Sequence, residues 1–260
     1  MIKIGTICLL LISLGACSTD NNGSKQPVAA TGTIEIRLTD APVDYESVMI
    51  DIRDIQINMT TDENSGWQTP ENVKVGIYDL LKFANGKDTL LAIGKFPIGT
   101  IKQMRLILGE NNLVGENGKL YPLNTPSGQN SGIKINTNVT LVANTTYQLV
   151  LDFDASRSII KAGNSGKYLL KPVIRGFLAT ETGQIRGEIS PSNIKTVVWA
   201  IPGTDSVGTY TDNKGKFLVR GLREGNYRLA IVPQKPYKEK IIDNIIVSKG
   251  KITDVFLIKL

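Results

Sequence analysis

Short runs of alternating apolar and polar residues, cut at intervals by glycine and asparagine, restrict this chain to β-structure. Ile34, Ile36 and Leu38 alternate with Glu35 and Arg37, the period of a strand with one face buried. Thr39-Asp40-Ala41-Pro42 ends that run, because proline lacks a ladder donor and restricts the residue before it. Val48, Ile50 and Ile52 then fall on one phase, and Ile55, Ile57 and Met59 on the other. A bulge near Arg53-Asp54 would return both sets to one face. Further strands are expected at 73–77, 103–108, 133–135, 139–141, 147–153 and 169–177. Turn signals lie at Asn64-Ser65-Gly66, Asn85-Gly86, Asn117-Gly118, Ser131-Gly132 and Asn164-Ser165-Gly166. Only 79–84 and 89–93 leave room for a helical turn.

A second unit begins near Gly183. Asp212-Asn213-Lys214-Gly215 reads as a hairpin turn, with the glycine supplying a positive φ. Phe217 and Val219 point inward on one strand, Gly221 and Gly225 bracket a reversal, and Tyr227 and Leu229 return on the next. Strands at 184–189, 195–201, 241–247 and 253–257 complete the unit. The fold class expected is all-β, with two antiparallel β-sandwich domains at 31–180 and 183–260.

Composition narrows the chemistry. Histidine is absent, which removes Ser-His-Asp and Cys-His catalysis, histidine-ligated zinc and imidazole acid–base work. Residues 31–182 carry a net charge of −1 and residues 183–260 a net charge of +6. A basic unit suits nucleic acid, anionic lipid or acidic polysaccharide. No recognition-helix or stacked-aromatic pattern supports nucleic acid, so a solvated basic surface is the reading adopted.

The first residues set the expected location. Lys3 precedes an apolar run from Ile4 to Ala16, too short to span a bilayer and of the length of a secretory signal core. Leu14-Gly15-Ala16-Cys17 looks like the lipobox of a bacterial lipoprotein, in which the Cys17 thiol takes up a diacylglycerol. Residues 1–16 are then a signal peptide, and residues 17–30 a polar tether reaching on the order of 20 Å. Cys8 leaves with the signal. The mature chain retains only Cys17 and has no disulfide.

Two resemblances cover most of the remainder. The run Thr211 to Leu229 (T-D-x-x-G-x-F-x-V-x-G-L-x-x-G-x-Y-x-L) resembles the carboxypeptidase regulatory-like, transthyretin-like sandwich, often grouped with carbohydrate-binding-like folds. Residues 31–180 resemble a family of envelope lipoprotein domains known as domain of unknown function 4382. That likeness rests on Leu38-Thr39-Asp40-Ala41-Pro42, Trp67, Tyr78-Asp79-Leu80-Leu81, Leu151-Asp152-Phe153-Asp154 and Lys171-Pro172-Val173-Ile174-Arg175. Neither resemblance implies a catalytic residue, a cofactor or an established activity.

Candidate sites are few. Asp152 and Asp154 flank Phe153, and with Asp40 or Asp79 they are weak candidates for a Ca²⁺ site. The plainer reading is that they cap turns and pair with Arg157, Arg175 or Lys171. A glycosidase carboxylate pair has no spacing to support it. Trp67 and Tyr237 are weak candidates for a sugar platform, whereas Trp199 is assigned to the core with Val197 and Ile201. Asp88-Thr89-Leu90 and Asp205-Ser206-Val207 match a short bacterial O-glycosylation pattern. Asn58, Asn138 and Asn144 head sequons of no expected relevance in a bacterial lipoprotein.

The function expected is a non-enzymatic, lipid-anchored protein of the outer membrane that presents binding or adhesion modules. The alternatives are carbohydrate binding or a subunit role in a surface complex by strand addition. Expected partners are the membrane through the anchor and a glycan or envelope protein, with no nucleic acid.

Overall fold

The computed structural model describes residues 29–62, 64–125, 132–163 and 166–260. The expected signal segment, Cys17, most of the expected tether and the turn residues Ser131, Asn164 and Ser165 lie outside the described residues.

Two hydrophobic cores divide the chain. The first lies between a five-stranded and a nine-stranded sheet. Thr31–Asp40 is central in the smaller sheet. It pairs in parallel with Thr146–Phe153 and antiparallel with Thr89–Pro97. Ser47–Asn58 is the spine of the larger sheet. Its register shifts between Ile52 and Asp54, so Arg53 is the bulge and Val48, Ile50, Ile52, Ile55 and Ile57 all point inward, fully buried. Period two is restored there as expected.

The second core lies between a three-stranded sheet (Lys216–Leu222, Gly183–Ser190, Ile252–Lys259) and a four-stranded one (Val207–Tyr210, Thr196–Ile201, Gly225–Pro233, Lys240–Val247). The turn motif performs its local tasks. Asp212 Oδ1 accepts the Lys214 and Lys216 N–H groups at 2.9 Å each, and Gly215 sits at φ 75°. Phe217, Val219, Tyr227 and Leu229 are buried. The sheets are mainly antiparallel, and Gly183–Ser190 runs parallel to Ile252–Lys259.

Several local expectations change. Helical turns also form at Ala155–Ser158 and Ala179–Glu181, and the expected strands 133–135 and 139–141 are one strand, Ile133–Leu141, with a register shift between Asn136 and Val139. Residues 89–93 are strand, not helical turn, because Thr89–Pro97 is covered by neighbours on both edges. Residues 73–77 split into Asn72–Val73 and Gly76–Asp79, leaving Val75 and Ile77 exposed. Residues 169–177 are broken by Lys171-Pro172-Val173 into Tyr168–Leu170 and Ile174–Leu178. Trp199 is not in the core. Thr196, Val198 and Ala200 face inward, and the Trp199 indole lies on the outer face against Gly208. The turn at 79–84 holds, as the 3-10 helix Leu80–Phe83.

Candidate functional site

The charged side chains that would serve chemistry converge where the two sandwiches meet. Thr31–Asp40 delivers Asp40 there, Thr146–Phe153 delivers Asp152, and the turn after it delivers Asp154. Asp152 Oδ2 accepts from Arg175 Nε at 2.7 Å, and Arg175 reaches on to the carbonyls of Gly221 (2.8 Å) and Arg220 (3.2 Å) in the second sandwich. Asp154 Oδ1 accepts the Arg157 N–H that opens a short helix, and its Oδ2 accepts from Arg157 Nε at 2.6 Å. These are the arginine pairings the plainer sequence reading expected.

A second bridge runs through Asp88. Its Oδ1 accepts from Arg37 Nε at 2.5 Å and its Oδ2 from Arg220 Nη1 at 2.6 Å. Burial raises the Asp88 carboxyl, but hydrogen bonds from Arg220 and Arg37 outweigh it and hold the group below its ordinary value. Asn85 adds a neutral clasp. Its backbone N–H donates to Thr209 Oγ1 (3.0 Å), its Nδ2 donates to Lys216 O (2.9 Å), and its Oδ1 accepts the Leu218 N–H (2.7 Å). The amide thus satisfies the edge of strand Lys216–Leu222 as a neighbouring backbone would. Close approach needs glycine here: a Cβ on Gly86 would lie 2.6 Å from Leu218, and one on Gly221 2.5 Å from the Phe177 ring.

Asp40 has no arginine. Its Oδ1 accepts the Ala155 N–H at 3.2 Å, while Asp40 Oδ2 and Asp152 Oδ1 are buried with no partner. Burial, then the charges of Asp152 and Asp154, push the Asp40 carboxyl well above its ordinary value. Both residues line a small, partly open pocket of about 20 Å³ between the sandwiches, with Asn85, Arg175, Thr209 and Arg220 around it.

Beside this pocket the Ala41-Pro42-Val43 stretch and Tyr45 form one wall of a cleft of about 320 Å³, with Tyr210 and Lys195 opposite. Lys195 Nζ lies 4.5 Å over the Tyr210 ring and 3.1 Å from Asp44. The signature Leu38 to Pro42 therefore belongs to the junction.

A larger groove, about 720 Å³, lies on the outer side of the three-stranded sheet. Phe256 stands on its rim at 75% exposure with φ 55°, an unusual backbone for a bulky residue. Ile252 and Leu257 flank it, Arg186 pairs with Asp254 at 2.8 Å, and Glu188 and Lys216 line it as well.

The sequence candidates fare unevenly. Asp40, Asp152 and Asp154 come together, whereas Asp79 accepts the Val48 N–H instead. Among the described residues no group of three or more carboxylate, cysteine or histidine side chains is placed to hold a metal ion. Trp67 is half-buried under Arg105, 4.3 Å from the ring centroid, in the first sandwich. Tyr237 is half-buried in a turn of the second, so the two form no common platform. Asn85, Arg220 and Phe256 were not singled out as site residues in the sequence. The run Val255 to Ile258, four apolar residues where alternation allows two inward, was the signal for Phe256. No helix among the described residues is long and apolar enough to cross a membrane.

A family model described as Domain of unknown function (DUF4382) matches residues 31–172. No curated protein matches the chain. Matching solved structures include a type II cohesin–X-dockerin complex from Acetivibrio cellulolyticus, at 21% identity over 29% of this chain and 52% of that one, TM-score 0.24. The TIE protein of Bacillus anthracis matches at 12% identity over 88% of this chain and 34% of that one, TM-score 0.24. A minor pilin of Streptococcus agalactiae matches at 11% identity over 86% and 94%, TM-score 0.25. The chain spans about half the length of the first and about a third of the second. At such scores these likenesses carry no argument about fold or function.

Proposed function

The chain belongs to the family described as Domain of unknown function (DUF4382), and for it we propose a non-enzymatic envelope protein, anchored by lipid on Cys17, that displays a binding surface on its second sandwich. Residues 183–260 are read as a carboxypeptidase regulatory-like module, in keeping with the turn and core roles of Thr211 to Leu229.

One observation carries the reading: the tether and the second sandwich meet opposite ends of the first. The tether enters at Thr31, beside Asn144 and Ile98, where Asn144 N–H donates to Thr31 O and Ile98 N–H to Ala30 O. Nine strand residues later, about 30 Å at 3.3 Å per residue, Asp40 lines the pocket shared with Thr209 and Arg220. An anchor on the tether would place the groove around Phe256 far from the lipid. Asp88, and Asp152 through Arg175, are engaged in holding the sandwiches together, which favours display over catalysis.

Carbohydrate is the ligand class the groove favours. Phe256 offers an exposed ring for a sugar face. The lining mixes cationic Arg186 and Lys216 with anionic Glu188, Asp212 and Asp254, suited to a polyol more than to a strongly charged polymer. The assembly reading by strand addition is less favoured, because the edge strands Lys240–Val247 and Ile252–Lys259 carry register shifts near Asn244 and Phe256.

The test is a soluble glycan array probed with the Cys17→Ser chain and its Phe256→Ala form. Retention that Phe256→Ala abolishes supports the reading. Turnover of a glycan or peptide, lost on one carboxylate substitution, would overturn it.

A further inference from the structure

The excess positive charge of the second sandwich is not spread evenly. Residues 183–260 carry a net charge of +6. Arg186, Arg220 and Arg228 are neutralised by Asp254, Asp88 and Asp243, and Lys195 by Asp44. Lys214, Lys235, Lys238, Lys240 and Lys259 stand outside these pairs and are exposed.

The fold brings these five to one end of the sandwich. Lys259 is in register with Ser190, and Lys240 Nζ donates to the Lys259 carbonyl at 3.0 Å. Lys235 and Lys238 lie in the connection from Gly225–Pro233 to Lys240–Val247. Gly215 O, next to Lys214, accepts the Ile189 N–H at 2.8 Å. Against these cations stand Glu239 in the same connection and Asp212, whose Oδ1 already accepts two backbone N–H groups. Tyr237 lies among them, half-buried, and its N–H donates to Gln234 O at 3.3 Å.

We propose that this end of the second sandwich binds an acidic polysaccharide, with the lysines meeting its carboxylate or sulfate groups and Tyr237 a sugar face. The residue types suit that ligand. Lysine is a compact charge on a flexible stem, able to follow charges spaced along a polymer, whereas arginine's fork suits a single fixed carboxylate or phosphate. Tyrosine joins an apolar ring to a polar tip, as a sugar platform requires. The groove around Phe256 mixes both signs and is a separate surface.

The position of the lysines selects polysaccharide over anionic lipid. Lys195 O accepts the Gln234 N–H at 3.2 Å, and Lys195 Nζ lies 3.1 Å from Asp44 Oδ1, just beyond Asp40. Asp40 ends the strand that begins at Thr31, where the tether enters. The cations therefore lie on the side away from the tether. This choice of ligand class rests on the proposed anchor; the surface itself does not.

The experiment uses the Cys17→Ser chain at about 0.15 M salt, where distant exposed charges are screened. The probes are polygalacturonate, dextran sulfate, neutral dextran and phosphatidylglycerol vesicles. Retention on the acidic polymers and not on dextran is expected. Lys235→Gln with Lys238→Gln should weaken it by roughly two- to thirtyfold, the worth of two exposed ion pairs, and Tyr237→Ala should weaken it as well. Arg223→Gln with Lys251→Gln removes two charges from the other end, beside Gly183 and Gln184, and should change it by less than about twofold. All four of these charged side chains are exposed, so the folded state is kept. Phe256→Ala should leave retention unchanged, which separates this surface from the groove. Retention on neither acidic polymer, equal loss in the two double variants, or tighter binding to the vesicles would overturn the proposal.

Discussion

Replacing Asn85 with glycine isolates the neutral clasp between the sandwiches. Asn85 sits at φ 56°, a conformation glycine adopts freely, so the substitution leaves the backbone unstrained. The N–H to Thr209 is retained. The bonds from Nδ2 to Lys216 O and from the Leu218 N–H to Oδ1 are lost. At about 0.5–1.5 kcal/mol for each bond, the loss is roughly 1–3 kcal/mol. For a urea slope of about 2 kcal/mol per molar, that lowers a midpoint by roughly 0.5–1.5 M. Asn85→Ala should cost about 1–2 kcal/mol more, because a Cβ is disfavoured at this φ. The chain offers its own assay, with Trp67 in the first sandwich and Trp199 in the second. In Trp67→Phe and Trp199→Phe backgrounds each sandwich reports alone. The two transitions should superimpose in the parent and separate in Asn85→Gly. Transitions that stay superimposed and unmoved would refute the clasp.

Other expectations follow from the same geometry. Asp88→Asn removes the anion between two arginines and should destabilise by about 3–5 kcal/mol, measured by urea unfolding. Since the Asp88 carboxyl is held low, its contribution is present above the unfolded value and lost as pH falls through the folded one; Asp88→Asn should flatten that acid limb. Gly208→Ala puts a Cβ 2.4 Å from the Trp199 ring; it should cost about 1–3 kcal/mol and red-shift Trp199 emission as the indole lifts off the sheet. Phe256→Gly relieves a positive φ at about 1–2 kcal/mol while adding glycine's strand penalty of about 0.5–1. Calorimetry should show unchanged or slightly raised stability, while glycan retention is lost. Cys17→Ser should abolish metabolic palmitate labelling and release the protein, with circular dichroism unchanged.

Local alternation was readable and non-local meeting was not. The Arg53 bulge followed from strict period two across Val48 to Ile57, because one buried face admits no other register. Residues 89–93 misled because Leu90 to Ile93 is an unbroken apolar run, and periodicity cannot separate a covered strand from a helical turn. The phase of Thr196–Ile201 misled for a related reason. Val197, Val198, Trp199, Ala200 and Ile201 are all apolar, and the inward face is the one carrying Thr196, whose hydroxyl bonds Ile194 O. Pairing of Asp152 and Asp154 with Arg157, Arg175 or Lys171 was legible because these residues lie close in sequence; which acid takes which cation, Arg175 for Asp152 and Arg157 for Asp154, was not. Asn85 read only as a turn and Asp40 only as a strand end. Their partners stand more than a hundred residues away, at Thr209, Lys216, Leu218 and Ala155, and no local pattern encodes that distance.

The claim that matters most is that ion pairs and the Asn85 clasp join the sandwiches into one rigid body, so that the proposed anchor would fix where the groove points. With Cys8 and Cys17 both replaced by serine the chain has no cysteine, and spin labels can be placed at will. Val142→Cys, at the tether end of the first sandwich, and Lys214→Cys, in an exposed turn of the second, give one distance across the junction. Double electron–electron resonance at neutral pH should return a single narrow distribution that broadens in Asn85→Gly. A broad or bimodal distribution in the parent would mean that the sandwiches move independently and that the junction is no lock.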